Sequence, residues 1–181
     1  MERVISLNGE WQVATDPGNA GRQQQWWRQP RPEARRTPVP WIIQGPFPGY
    51  HGVAWYWRRL AVPAHPDAGG RYLLRFHAVD YLADVWVGDT HVGGHEGGET
   101  PFTLDVTEAV RAGEPAWLAV RVLNPTNEPI DGIRLETTPH RNKVIPYRNG
   151  GSYGYGGILE SVELALAPVV LLSPAAPRVW A

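Results

Sequence analysis

The feature that most limits what this chain can fold into is a period-two alternation of apolar side chains, cut every few residues by glycine or proline. Tyr72, Leu74, Phe76 and Ala78 alternate with Leu73, Arg75, His77 and Val79, and Ala83, Val85 and Val87 alternate with Leu82, Asp84 and Trp86. Leu118, Val120 and Val122 share one face, as do Val162, Leu164 and Leu166 against Ser161, Glu163 and Ala165. Successive strand residues point to opposite faces, so this is the pattern of strands that bury one side. The 20 glycines and 18 prolines are spread without a period, which permits short strands joined by turns and disfavours helices. About eight to ten strands with turn signals at short spacing predict an all-β fold, a two-sheet jelly-roll β-sandwich.

Along the chain, SLNGEWQV reads as an N-terminal hairpin turning at Asn8-Gly9. Gln23 to Trp27 fits a short helical turn. Pro30 to Pro48 is too interrupted for anything but an irregular wrap, which either covers a sheet edge or, with Trp41 and the loop Gly45 to Gly52, forms a mouth. Val53 to Val62 carries bulky residues on both faces, as a central strand does. Its adjacent Arg58 and Arg59 must point opposite ways, and the inward one requires a carboxylate or an indole, with an ion pair expected. Gly88-Asp89 closes a hairpin whose return strand enters a glycine-rich loop, Gly93 to Glu99, and Asp105 to Glu108 starts one helical turn. Asn124 to Gly151 is long, polar and aperiodic, the kind of loop that is usually functional. Residues 1–167 read as one domain and 168–181 as a linker-like tail.

Bulk properties exclude several classes. A net charge of -1 and no block of like charge give nucleic acid no purchase. No run approaches the roughly 18 apolar residues that cross a membrane, and Met1-Glu2-Arg3 leads directly into strand-like sequence, so the expectation is a soluble, cytoplasmic chain. With no cysteine there is neither disulfide nor thiolate zinc site. Against 3 phenylalanines stand 9 tryptophans. An indole is a flat apolar face with one N–H donor, suited to sandwich cores and to the C–H faces of sugar rings.

Glycoside hydrolysis needs two carboxyl groups roughly 5 to 9.5 Å apart. Glu96 and Glu99 in the glycine loop, Asp80 and Asp84 before it, and Asp131 or Glu136 in the long loop are the candidates. His91, His95, Glu96 and Glu99 could gather a metal, but without the helical H-E-x-x-H pattern no metal site is assigned. Asp80 or Asp105 with backbone carbonyls leaves room for a structural calcium, and no other cofactor is expected. His77 reads as a sheet histidine.

Four stretches in order, SLNGEWQ (6–12), GVAWYWRRLAVP (52–63), LRFHAVDYLADVWVGDTHVGGHEGGETPFTLDVTEAV (74–110) and YGGILESVELAL (155–166), resemble the N-terminal sugar-binding domain of glycoside hydrolase family 2, the group of β-galactosidases, β-glucuronidases and β-mannosidases. The resemblance implies a galactose-binding-domain-like fold. It also implies that this domain is followed by an immunoglobulin-like sandwich and a TIM barrel holding two catalytic glutamates. No barrel lies within these 181 residues, so neither glutamate maps here. In the family, loops of this domain reach the barrel mouth; by position these are Gly45 to Gly52 and the segment before YGGI, with Asp131, His140, Arg141, Asn142 and Lys143. Glu160 stands where family members carry a basic or polar residue.

Three readings follow. In a carbohydrate-binding domain, Trp41, Tyr50 and Tyr153 would be the ring platforms and Asp80, His95, Glu96, Arg141 and Asn142 would ligate hydroxyls, with His51 and Lys143 also in the sugar site. A small self-contained glycosidase would draw its acid/base and nucleophile from Glu96, Glu99, Asp131 and Glu136. An interaction domain would dock a missing catalytic domain or a second copy of itself.

Overall fold

A computed structural model describes residues 2–138 and 154–169. Within them are 13 strands: β1 (Arg3–Ser6), β2 (Gly9–Thr15), β3 (Arg35–Val39), β4 (Trp41–Ile42), β5 (Gly52–Leu60), β6 (Arg71–Phe76), β7 (Val79–Asp80), β8 (Leu82–Val87), β9 (Thr90–Glu96), β10 (Phe102–Asp105), β11 (Ala116–Asn124), β12 (Gly157–Ile158) and β13 (Val162–Ala167). They form a four-stranded sheet (β1-β13-β6-β10), a six-stranded sheet (β3-β2-β5-β11-β8-β9) and a small sheet (β4-β12-β7). Every pairing is antiparallel.

The alternation read from the sequence is what builds the sandwich. Tyr72, Leu74, Phe76, Leu164 and Leu166 from the four-stranded sheet meet Trp11, Val13, Tyr56, Val85, Val87, Val120 and Val122 from the six-stranded sheet in one buried core. β5 is central, with β2 and β11 as neighbours, and both its faces are covered. Ala54, Tyr56 and Leu60 enter the core, while Val53, Trp55 and Trp57 face outward into a second cluster with Ala14, Trp26, Trp86, Ala119 and Leu123. Each fully buried indole contributes about 4 to 6 kcal/mol of apolar burial. The Trp57 indole donates to the Trp26 carbonyl at 2.7 Å and that of Trp55 to Asp16 at 3.0 Å, so neither polar tip is wasted.

Several expectations are corrected. Asn8-Gly9 does not close a hairpin: β1 pairs with β13 and β2 with β3 and β5, so the chain crosses between sheets there. Asn8 anchors that crossing, accepting from the Val162 amide at 3.0 Å, because the apolar patterns of β1 and β2 belong to opposite walls of one core. The proline-rich stretch is not wholly irregular. It contains β3, where Pro38 costs no ladder bond because the strand is the sheet edge. The glycine-rich loop is strand through Glu96, with a bulge opposite Val85/Trp86. A Cβ at Gly94 would lie 2.5 Å from the Ala83 carbonyl oxygen, so this glycine serves close strand packing rather than loop freedom. Arg58 finds no carboxylate among the described residues; it donates to the carbonyls of Asn8 and Glu10, both at 3.3 Å, and lies over Trp11. The Gly88-Asp89 hairpin and the helical turn at Thr107–Ala109 are as read.

Candidate functional site

Four neighbouring strands finish at one end of the six-stranded sheet. Gly52 of β5 pairs with Asn124 of β11, Leu123 with Leu82 of β8, and Leu82 with Glu96 of β9. The small sheet sits at the same end, since Tyr81 donates its amide to the Leu123 carbonyl at 3.0 Å and Gly157 pairs with Asp80. This rim gathers residues from three distant parts of the sequence.

Asn124, fully buried, organises it. Its side-chain amide donates to the Gly154 carbonyl at 2.7 Å, which leaves its oxygen to accept from Gln44 Nε2 at 3.1 Å and from His51 Nδ1 at 2.8 Å. With the Asn124 oxygen as acceptor, the His51 hydrogen must sit on Nδ1, and Nε2 is the acceptor of the neutral ring. Gln44 also donates to the Tyr50 carbonyl at 2.7 Å. A Cβ at Gly156 would lie 2.4 Å from the Asn124 Cβ, and one at Gly157 would lie 2.7 Å from the Trp41 carbonyl oxygen. The YGGI glycines are therefore what let β12 close on the hub.

The sequence candidates divide by position. Trp41 is half exposed, its ring laid against the backbone of Gly45. Tyr50 is pinned by its hydroxyl to the Val53 carbonyl at 2.6 Å, and burial pushes that hydroxyl up to about 12. Asp80 is buried at the strand end. Glu96 accepts from the Tyr81 hydroxyl at 2.8 Å, and burial, with the Glu96 bond and charge behind it, raises Tyr81 to about 12. His95 turns the other way, its ring stacked on Phe102 and its Nε2 2.7 Å from the Thr100 hydroxyl. Glu99 is exposed in the turn that follows β9. Asp131 and Glu136 lie elsewhere. Asp131 is on the outer face of the six-stranded sheet between Arg22 and Arg121, and Glu136 is exposed beside Arg134. Arg141, Asn142, Lys143, His140 and Tyr153 lie outside the described residues.

His91 approaches Asp84 and packs at a tilt against Trp86, while His95 lies on Phe102. Among the described residues no three His, Asp or Glu converge on a metal position. Asp105 is occupied by the Thr107 amide and hydroxyl and by Arg71. Among the described residues no helix is long and apolar enough to cross a membrane.

Sequence reasoning missed two hubs. In the sequence Asn124 is only the start of a loop, and a lone amide directly after the apolar run Leu118 to Leu123 is its one signal. The other is Arg121, wholly buried on the outer face of β11. It donates to Asn19 and Asp131, both at 2.7 Å, and to Asp84 at 3.4 Å. Arg22 joins both aspartates. Burial works to raise the Asp131 carboxyl, but the Asn19 hydrogen bond and the charges of Arg121 and Arg22 outweigh it and hold it below the usual carboxylate range.

Comparison with known proteins places this geometry. The profile described as "Glycosyl hydrolases family 2, sugar binding domain" matches residues 42–168. The β-glucuronidase of Felis catus is 34% identical over 187 residues, covering 92% of this chain and 29% of that protein. That of Paenibacillus borealis is 32% identical over 172 residues, covering 89% and 28%. Among solved structures, an uncultured Clostridium sp. β-glucuronidase superposes with a TM-score of 0.72 at 25% identity, and the Ruminococcus gnavus β-glucuronidase with 0.74 at 22%; each match covers 92% of this chain and 29% of the other. The chain thus spans less than a third of the length of these relatives.

Proposed function

Because this chain belongs to the sugar-binding domain family of the family 2 glycosyl hydrolases, we propose that its Asn124 rim forms one wall of a glycoside site whose catalytic groups lie on other residues of a longer protein. The observation that carries this reading is the Asn124 hub, which ties Gln44, His51 and Gly154 into one unit and so holds the 41–52 loop beside Gly154. Preorganised polar groups beside an exposed indole are what a sugar hydroxyl and ring face require. Trp41 is the ring platform, with Tyr155 also exposed at this end. Tyr50, His51 and Asp80 shape the wall. Arg141, Asn142, Lys143 and Tyr153 are assigned by sequence position as further contacts, and His95 as support for the adjoining turn. The relatives named above are β-glucuronidases, and two cations of the sequence before Gly154, Arg141 and Lys143, suit the carboxylate of such a sugar.

The self-contained glycosidase is the weaker reading. Asp131 is held ionised by two arginines, and Glu96 is committed to Tyr81, so neither is placed as a free general acid. The docking reading is favoured by one observation, the exposure of Trp41 and Tyr155 at the same rim.

The deciding experiment titrates the chain with methyl β-glycosides of glucuronic acid, galactose, glucose and mannose while following indole N–H resonances. Nitrophenyl forms are assayed for turnover in parallel. The Trp41 indole is expected to shift with the glucuronide, without turnover. Turnover abolished by Glu96→Gln or Glu99→Gln would replace this reading with the enzymatic one. A concentration-dependent dimer in sizing, lost in Trp41→Ser, would favour docking.

A further inference from the structure

At the end of the sheet opposite the Asn124 rim, the outer face carries a groove that the rim does not explain. Two depressions of about 360 and about 140 Å³ meet there, the first lined by Arg28, Gly88, Asp89 and Pro115, the second by Glu10, Gln12 and Trp57, with Arg59 and Trp117 common to both. The residues lie across four strands in register: Gln12 opposite Trp57, Arg59 opposite Trp117, and the Gly88 amide on the Trp117 carbonyl at 2.8 Å. Three inter-strand spacings make the groove about 14 Å long, wider than one sugar ring.

Its charge is unbalanced. Both acids on its walls are already answered, Asp89 by Arg28 at 3.0 Å and Glu10 by Arg36 at 3.5 Å. Arg59, exposed at the centre, pairs with no carboxylate among the described residues; its guanidinium lies over the Trp117 ring, 4.9 Å from the centroid. A guanidinium over an indole keeps its forked N–H groups for an anion, and that fork pairs bidentately with the two oxygens of a carboxylate. The half-buried Trp117 and the Gln12 amide add the apolar wall and the hydrogen-bonding group that sugar rings use.

We propose that this groove is a second binding site, for a carboxylate-bearing oligosaccharide, with Arg59 as its anchoring cation and Trp117 as its wall. The assignment goes beyond the rim and does not depend on it.

The test is titration of the ¹⁵N-labelled chain with a galacturonic acid trimer, its methyl ester, and a short oligothymidylate as a general polyanion. The acid trimer is expected to shift the Trp117 indole and Arg59 Nε signals, leaving the Trp41 indole in place, and to bind at least about tenfold more tightly than the ester. Arg59→Gln weakens it by a similar factor, and Arg59→Lys, which keeps charge but loses the fork, falls between. The ester arm uses the unaltered chain, so the result stands even if a variant folds poorly. Equal binding of the ester, oligothymidylate binding as tight as the acid trimer, unchanged binding by Arg59→Gln, or no shift at about 10 mM trimer would each overturn the proposal.

Discussion

Arg121 and Asp131 meet at 2.7 Å, the arginine wholly buried and the aspartate on a segment that leaves the same strand only a few residues later. The pair fastens residues 125–138 onto the outer face of β11, while Asn124 fastens Gly154 at the end of that strand. β11 is therefore the spine from which the rim is held on both sides.

Arg121→Met leaves Asp84 and Asp131 facing the sheet with one arginine instead of two. Asp131 is exposed and Arg22 still answers both aspartates, so the cost is below that of a fully buried pair, at about 1 to 2 kcal/mol. Urea denaturation is expected to show a loss in that range, with the Arg121→Met/Asp131→Asn double variant recovering part of it.

The same network sets an acid limit. A carboxyl whose folded value is depressed contributes stability that is fully present above its unfolded value, near 4, and is lost as pH falls through the folded value. Stability should therefore decline on acidification below about pH 4, and Asp131→Asn should flatten that decline. Thermal melts across pH 2 to 6 read both.

At the alkaline side the sign reverses. Tyr50 and Tyr81 are raised to about 12, so their contribution is present below the unfolded value near 10 and is lost as pH rises from there through 12. Absorbance titration at 295 nm should show at least two late-ionising tyrosines, and Tyr81→Phe should remove one of them.

Asn124→Ala strands His51 Nδ1 and the Gly154 carbonyl and takes one of the two acceptors from the Gln44 amide. Leaving buried polar groups unmatched costs about 1 to 3 kcal/mol. Hydrogen exchange at the Gly52 and Ile158 amides is expected to quicken, with the β1–β13 ladder unaffected; uniform quickening would deny Asn124 its local role.

Gly156→Ala tests the close approach directly, since its Cβ would come 2.4 Å from that of Asn124. Overpacking of this kind costs about 1 to 3 kcal/mol. A variant as stable as the parent would show that β12 can shift without loosening the hub.

Much of this protein follows from the sequence alone. Period-two alternation assigns each strand a buried face irrespective of its partner, which is why the inward sets of β6, β8, β11 and β13 were legible and the sandwich with them. The doubly bulky pattern of β5 placed it centrally for the same local reason. Which strand lies beside which is a different matter. Asn8-Gly9 looks like a hairpin turn because the turn chemistry is local, yet the chain crosses sheets there, and only packing of the whole core selects that path. The buried arginine is Arg121 rather than the doublet Arg58-Arg59, because a guanidinium is buried only where carboxylates from other segments meet it. Asp84, Asp131 and Asn19 come from three separate stretches, and only the tertiary fold brings them to one point.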